Sequence, residues 1–177
     1  MALHKLIISG FGGQGIMLLG QMLAHAGMNE GKNVTWMPSY GPEMRGGTAN
    51  CSVIISDSPV SSPVITSATA AAVMNGPSLR KFRDIVEKNG NIIINSGMTD
   101  SVSGRTDVSE YRVDCNEAAA GLKNEKAANM VMLGAVADIT GAVKISSLED
   151  VIRKYFTGDK SVFVPGSIEA LHCWKKR

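Results

Sequence analysis

The chain opens with a glycine-rich segment that lies between an apolar run and a segment of helical spacing. Residues 6–20 read LIISGFGGQGIMLLG, in which Gly10, Gly12 and Gly15 form the pattern G-x-G-x-x-G. Glycines let a backbone approach a ligand closely, and the start of a helix offers unpaired N–H groups with a partial positive charge. The pattern is typical of a loop that binds the phosphates of a dinucleotide, if a strand precedes it and a helix follows it.

Apolar, β-branched runs alternate with segments of helical spacing along the rest of the chain. The runs predict strands at residues 4–9, 33–37, 51–56, 70–75, 91–95 and 111–115. The spacing predicts helices from Ile16 to near Gly27 or Gly31, from Pro77 to Asn89-Gly90, over residues 126–140, around residues 148–156 after an N-cap at Ser146 or Ser147, and after Pro165. Loops are predicted at residues 38–50 and 96–110, and turns with room for a short edge strand at residues 57–63.

This alternation predicts an α/β fold with a single domain over residues 1–177. We expect three layers, with a mostly parallel, Rossmann-like sheet between helices on both faces. Residues 126–140 are apolar on most sides, so this helix is expected to be buried in the core or under a partner. The glycine loop and residues 38–50 both follow predicted strands, and ligands gather at the carboxyl ends of parallel strands.

Composition and charge exclude several classes of function. A formal net charge of +2 gives no field that would attract nucleic acid. No segment approaches the roughly 20 apolar residues of a membrane span, and no secretory leader is visible, so we expect a cytoplasmic protein. The three cysteines are widely spaced without a C-x-x-C pair, so neither an iron–sulfur cluster nor a structural zinc site is written in this chain.

The glycine pattern by itself does not decide the function. A dinucleotide site also needs an acidic residue about 20 positions on to hold a ribose hydroxyl, and residues 33–39 read NVTWMPS. The residues after Gly15 are Ile16 and Met17, so no phosphate-binding lysine follows. A tight structural turn and a phosphate or carboxylate site both remain open. The sequence shows no complete set of catalytic residues and no metal-binding cluster.

A second loop, YGPEMRGG at residues 40–47, combines an aromatic ring, two opposite charges and three glycines. Glu43 and Arg45 either pair with each other, or Arg45 binds a carboxylate or phosphate of a ligand or partner through its planar guanidinium group.

The segments SGFGGQGI, YGPEMRGG and VIISDSPVSSPVI together resemble the gamma subunit of 2-oxoacid:ferredoxin oxidoreductases. The resemblance covers the whole chain and is densest over residues 9–65. The residues that match the motifs are candidates for ligand or interface contacts: Gly10, Gly12, Gly13, Gln14, Gly15, Tyr40, Gly41, Glu43, Arg45, Gly46, Gly47 and Ser62.

The resemblance implies one part of a larger enzyme. Such complexes oxidatively decarboxylate a 2-oxoacid on thiamine diphosphate with Mg²⁺, pass electrons through [4Fe–4S] clusters to ferredoxin, and release acyl-coenzyme A. The resemblance places these cofactors in alpha, beta and iron–sulfur delta-type subunits. This chain would complete the assembled site without a catalytic residue of its own, and the isolated chain is expected to be inactive. The alternatives are a stand-alone NAD(P)-dependent oxidoreductase and an interaction domain without a ligand.

Overall fold

In the computed structural model, which describes residues 2–39 and 48–175, strands and helices alternate along most of the chain. The strands are β1 Leu3–Phe11, β2 Asn33–Ser39, β3 Thr48–Ser56, β4 Ala68–Val73, β5 Val86–Asn95 and β6 Ser109–Val113. The α-helices are α1 Ile16–Asn29, α2 Gly76–Phe82, α3 Cys115–Gly121, α4 Ala128–Thr140, α5 Ile145–Tyr155 and α6 Val164–Cys173. Short 3₁₀ helices span Arg83–Ile85, Glu125–Ala127 and Gly158–Phe163.

The six strands form one sheet in the order β2-β3-β1-β4-β5-β6. The pairs β1–β4, β4–β5 and β5–β6 are parallel, whereas β3 is antiparallel to both β1 and β2. Five strands therefore run in one direction, and the predicted mostly parallel sheet is confirmed. The predicted β1–α1–β2 unit is present, with β3 inserted between its two strands.

The core is divided between the two faces of the sheet. On one face, strand residues such as Leu6, Ile8 and Ile93 pack under α1, α3, α4, α5 and α6. On the other face, the apolar side chains of the strands pack against Leu79 of α2 and against the segment around Ile65. Helices thus lie on both faces, as predicted, but most of the helical mass covers one of them.

Helix α4 is buried within this chain's own core. Residues 129–137 are all buried, and α4 packs against α6 so closely that Gly134 touches the backbone of Leu171. The apolar character of this helix is therefore explained by intramolecular packing. Among the helices that the structure describes, none has the length and apolar character needed to cross a membrane.

The prediction of a loop over residues 38–50 is wrong at both of its ends. Strand β2 continues through Pro38 to Ser39, and β3 begins at Thr48. Proline lacks an N–H group, but β2 is an edge strand, where that loss is tolerated. Residues 57–67 contain no strand, so the short edge strand for which residues 57–63 have room does not form. Ser56 and Ser62 hold local turns through their hydroxyls instead.

Several other boundaries differ from the prediction, most of them by one to three residues, and the larger differences are these. The helix that starts near Pro77 ends at Phe82, and Asn89-Gly90 lies inside β5, where Asn89 adopts a left-handed conformation with φ 65°. The last strand ends at Val113 rather than at residue 115, because Cys115 begins α3, a helix that is missing from the prediction. Ser146 and Ser147 lie inside α5, whose N-cap is Lys144.

Candidate binding site at the carboxyl edge of the sheet

The glycine loop (residues 10–15) lies at the carboxyl edge of the parallel strands. It leaves the sheet at the end of β1, where Phe11 pairs with Thr48, the first residue of β3. The neighbouring strand β2 ends at Ser39, which pairs with Asn50. The described ends of the second loop therefore lie on the same edge as the glycine loop, as the sequence predicted.

The residues of the second loop itself lie outside the part of the chain that the structure describes. The contacts predicted for this loop therefore stay predictions. They concern Tyr40, Gly41, Glu43, Arg45, Gly46 and Gly47.

Gln14 holds the glycine loop in shape. Its side-chain oxygen Oε1 accepts hydrogen bonds from the Phe11 N–H group at 2.6 Å and from Asn75 Nδ2 at 3.2 Å. Its Nε2 donates to the carbonyl oxygen of Met74 at 3.5 Å. Gln14 thereby ties the end of β1 to the end of β4, which gives this candidate residue a structural role inside the chain.

The glycines of the loop are required for two different reasons. A Cβ atom at Gly10 would lie 2.6–2.9 Å from side-chain atoms of Ile16, Gln14 and Met74, so this position has no room for a side chain. Gly13 and Gly15 have φ values of 91° and 73°, a region that favours glycine. Gly12 and Gly13 are exposed, so they are the part of the loop that faces outward.

Gly15 is the N-cap of α1 and carries no capping side chain. The first turn of α1 continues with Ile16, Met17 and Leu18, so no carboxylate there offsets the partial positive charge of the helix start. The carboxamide of Asn129, on α4, packs directly against Gly15 and fills the space of a side chain at that position. The start of α1 is therefore held between its own strand and α4.

A cavity of about 450 Å³ opens beside this contact, and we call it the glycine-loop cavity. It lies at the boundary between β1 and β4, where the connection from β1 leads to one side of the sheet and that from β4 leads to the other. Such a switch point is where ligands bind in open α/β sheets. The cavity is lined by Gly13, Gln14, Gly15, Met74, Asn116, Glu125, Lys126, Ala128 and Asn129.

Sequence reasoning did not identify the residues that α3 and α4 contribute to this cavity. Asn129 is 7% exposed and stands in an otherwise apolar run of α4. A single carboxamide in such a run was a visible signal, but its position beside the glycine loop depends on tertiary packing.

Apolar side chains surround the other side of the glycine loop. One shallow cavity, of about 390 Å³, is bordered by Phe11, Met17 and Tyr155. A second cavity is bordered by Phe163, and Leu18 lines both cavities. Tyr155 and Phe163 are 45% and 54% exposed. Phe11, Met17 and Leu18 are half-buried. We call these five residues the apolar surface, since exposed apolar side chains that lie together mark interaction sites.

Ser62 does not join the glycine loop. It follows β3, whose last residue Ser56 pairs with Leu3 at the amino end of β1, so Ser62 lies towards the opposite edge of the sheet. Its hydroxyl oxygen accepts a hydrogen bond from the N–H group of Val64 at 3.2 Å. The structure therefore separates this candidate residue from the other described ones.

The described part of the chain does not bring a nucleophile and a base together. Burial raises the pKa of the Cys51 thiol to about 12, and its Sγ contacts the carbonyl oxygen of Ile16 at 3.6 Å. His172 pairs with Glu149 on the outer surface at 2.8 Å, where this hydrogen bond lowers the pKa of Glu149. No group of three or more His, Cys, Asp or Glu side chains that could hold a metal ion occurs within residues 2–39 and 48–175.

The end of β2, where a dinucleotide fold carries its ribose-binding acid, consists of Met37, Pro38 and Ser39. None of these can accept hydrogen bonds as a carboxylate does. The fold and the site therefore define an α/β domain with a cavity at the switch point and an apolar surface beside it, and the described end of β2 carries no acidic residue of the kind that a dinucleotide-binding protein has there.

The chain belongs to the pyruvate ferredoxin/flavodoxin oxidoreductase family, whose sequence model matches residues 5–173. It is 33% identical over 149 residues to the 2-oxoglutarate synthase subunit KorC of Methanocaldococcus jannaschii, which covers 82% of this chain and 79% of the relative. It is 39% identical over 157 residues to the ketoisovalerate oxidoreductase subunit VorA of Methanothermobacter thermautotrophicus. That match covers 88% of this chain but 32% of VorA, so the chain spans about a third of the length of this relative.

A solved structure agrees with this membership. The gamma subunit of a keto/oxoacid ferredoxin oxidoreductase from Geobacter sulfurreducens superposes with a TM-score of 0.84 at 26% identity. The superposition covers 98% of this chain and 96% of that subunit. The resemblance drawn from the motifs is confirmed, and so is the α/β fold that it implied.

Proposed function

We propose that this chain is the gamma subunit of a multi-subunit 2-oxoacid:ferredoxin oxidoreductase. The complex would oxidatively decarboxylate a 2-oxoacid, transfer the acyl group to coenzyme A and pass the electrons to ferredoxin. The observation that carries this proposal is the end-to-end likeness to a solved gamma subunit, which leaves little of either chain unmatched. Curated relatives of comparable length are themselves named as subunits.

The chain's own chemistry supports a role that depends on partners. A [4Fe–4S] cluster held by cysteines needs four thiolates, and this chain has three cysteines, each buried in a different element. Following the family resemblance, we assign thiamine diphosphate with Mg²⁺ to alpha and beta subunits and the clusters to a delta-type subunit. This chain would supply part of the wall of the assembled site.

The apolar surface is the face that we assign to those partners. In VorA the matched region makes up about a third of a longer polypeptide, so the same domain is joined there to further sequence. A domain that acts beside others must bury part of its surface against them. Tyr155 and Phe163, which are large and exposed, supply the aromatic contact area that is enriched in such interfaces.

Co-purification tests the assignment. We would co-express the tagged chain with the products of the neighbouring genes and measure 2-oxoacid-dependent reduction of ferredoxin. Tyr155→Asp is expected to reduce co-purification and activity together, because it places a charge in the apolar surface. Tyr111→Asp is the matched control, since Tyr111 is 37% exposed on the distant edge strand β6. A chain that purifies alone from its native source, or equal effects of the two substitutions, would refute the proposal.

We further propose that Arg45 and the N–H groups of the glycine loop face an anion in the complex, either the pyrophosphate of coenzyme A or a carboxylate of a partner. The support is that the glycine loop and the two described strand ends that flank the second loop, Ser39 and Thr48, lie at one edge of the sheet. In the purified complex, Arg45→Ala is expected to raise the KM for coenzyme A or to weaken assembly. An unchanged KM together with unchanged assembly would refute this part of the proposal.

A further inference from the structure

A groove runs along the outer face of α1. Each of four residues of this helix lines a cavity, and they share one face because they are spaced by three or four positions. They are Leu18, Gln21, His25 and Asn29. Asn29 lies 11 positions after Leu18, so at 1.5 Å per residue the groove is about 16 Å long. We call it the α1 groove.

Three cavities join in the α1 groove. The cavity of about 390 Å³ shares Tyr155 with a cavity of about 170 Å³ that lies between α1 and α5. It shares Leu18 with a cavity of about 210 Å³ that reaches Phe163. Val151 and Met130, which are buried in the chain's own core, line the first and the last of these smaller hollows. The apolar surface is therefore part of a longer groove with separate hollows.

The titratable side chains in the lining of the α1 groove carry positive charge or none. They are His25, Lys126 and Lys154. No carboxylate of the described residues lines the three cavities, although the whole chain has 16 acidic and 18 basic residues. Both lysines are exposed, and neither forms an ion pair within the described ranges. Asp150, one turn before Lys154, pairs with Arg153 at 3.2 Å instead. The groove thus combines an apolar floor with unpaired positive charge.

The spacing of the hollows favours a helix as the occupant. One hollow lies at His25 and Asn29 and the next at Leu18 and Gln21, so their centres are about 11 Å apart along α1. A helix presents residues i and i+7 on one face about 10.5 Å apart. A strand repeats the same face at about 7 or 13 Å. The walls at these hollows are mainly helices, whose backbone groups are bonded internally, so an extended segment finds no strand edge to pair with.

Charge determines which helix fits. A symmetric contact with a second copy would place the same basic groove on both sides, and like charges would face each other. We propose that the α1 groove docks an amphipathic α-helix of a partner subunit, with apolar side chains two turns apart in the hollows and Asp or Glu side chains beside Lys126 and Lys154. This inference rests on the proposed function, because it takes the partner to be another subunit of the complex.

Carbodiimide cross-linking of the purified complex tests the proposal directly. This reagent joins a lysine amine to a carboxylate without a spacer, so it links only groups that are already in contact. Mass spectrometry is expected to find Lys126 and Lys154 joined to Asp or Glu residues of one partner segment. That segment should carry apolar residues at i, i+3 or i+4, and i+7. Lys88, which is also exposed but lies on β5 and lines none of the three cavities, is expected to give no such link.

Competition for assembly provides a second measurement. A tagged variant and the untagged wild-type chain are co-expressed with the partner subunits, and their ratio in the complex is compared with that in the lysate. Lys154→Glu is expected to lower this ratio at least 10-fold, because it places a carboxylate against a carboxylate, whereas Lys154→Arg keeps the charge and the ratio. Lys88→Glu is the matched control and should change the ratio less than twofold.

The outcomes separate this inference from the proposed function. A complex that assembles without cross-links from Lys126 and Lys154 to a partner subunit would overturn the inference alone. So would links to a second copy of this chain, links to a segment without helical apolar spacing, or equal losses from Lys154→Glu and Lys88→Glu. A chain recovered without any other subunit would refute the proposed function and this inference together.

Discussion

The contact between α4 and α6 makes a quantitative prediction about Gly134. A Cβ atom at this position would overlap the carbonyl oxygen of Leu171 and lie 2.8 Å from its carbonyl carbon and 2.9 Å from its Cα. These are backbone atoms, so the overlap cannot be relieved by turning a side chain. Gly134→Ala therefore forces α4 and α6 apart, in a region where both helices are buried.

Two opposing terms set the size of the effect. Overpacking a core costs about 1–3 kcal/mol, and an obstacle made of backbone places Gly134→Ala at the upper end of that range. Alanine in place of glycine inside a helix returns about 1 kcal/mol. The net loss of unfolding free energy is therefore about 2 kcal/mol. For a chain of this length, that corresponds to a fall in Tm of roughly 4–8 °C.

Urea denaturation followed by circular dichroism measures this loss. Gly121→Ala is the matched control, because Gly121 is also helical, at the end of α3, and a Cβ atom there meets no atom within 4 Å. We expect this control to be neutral or slightly stabilising. A Gly134→Ala chain as stable as the wild type would show that the helices adjust at no cost, and the reasoning from backbone contact would be refuted.

Three further predictions concern other parts of the fold. Gly15→Ala should lower the free energy of unfolding by about 1–2 kcal/mol because of its left-handed conformation alone, and by more because the new Cβ atom meets the Asn129 side chain. Adding Asn129→Ala should remove that second loss, so a double-mutant cycle measured by urea denaturation should show a favourable coupling between the two substitutions. Burial opposes the ionisation of Glu30, but the hydrogen bond from the Lys144 N–H group and neighbouring polar groups outweigh it and lower its pKa. Glu30→Gln should therefore lower the free energy of unfolding at pH 7. This loss relative to wild type should shrink as the pH falls below about 4.3, because the wild-type carboxylate then becomes protonated; urea denaturation at pH 7 and at a pH below this value measures it. Cys51 has a pKa of about 12 and all three thiols are buried. At pH 8 the thiols of the native chain should therefore react with an aromatic disulfide reagent no faster than the folded structure opens to expose them, and a rapid phase of thiol modification would contradict this.

The sequence predicted the layers of this fold because alternation between β-branched runs and helical spacing is a local signal. It failed where tertiary contacts decide the outcome. Asn89-Gly90 is typical of a helix end, yet here it lies in β5, and Gly90 fits so closely against the backbone of Thr69 that a side chain has no room. Pro38 is typical of a loop, and only its place on an edge strand lets β2 continue through it.

For the candidate site, too, the sequence predicted what depends on the order of elements and missed what depends on tertiary packing. The glycine loop and the ends of the second loop share one edge because strand direction follows from the order of elements. Asn129 could not be placed there, since it lies 114 positions after Gly15 in the chain and nothing local connects them. The Asp114 N-cap of α3, which accepts a hydrogen bond from the Glu117 N–H group at 2.9 Å, shows the opposite case of a local signal that was present and overlooked.

The glycine pattern is best understood by separating its positions. Gly10 is required by Met74 and Gln14, and Gly15 is required by its left-handed backbone and by Asn129, so both are explained by contacts inside the chain. A match to a dinucleotide-binding pattern at these two positions therefore carries no information about a ligand. Gly12 and Gly13 are exposed, and a side chain at Gly13 would meet no atom within 4 Å. Packing leaves these two positions open to contact from outside, so binding by this loop must be sought there.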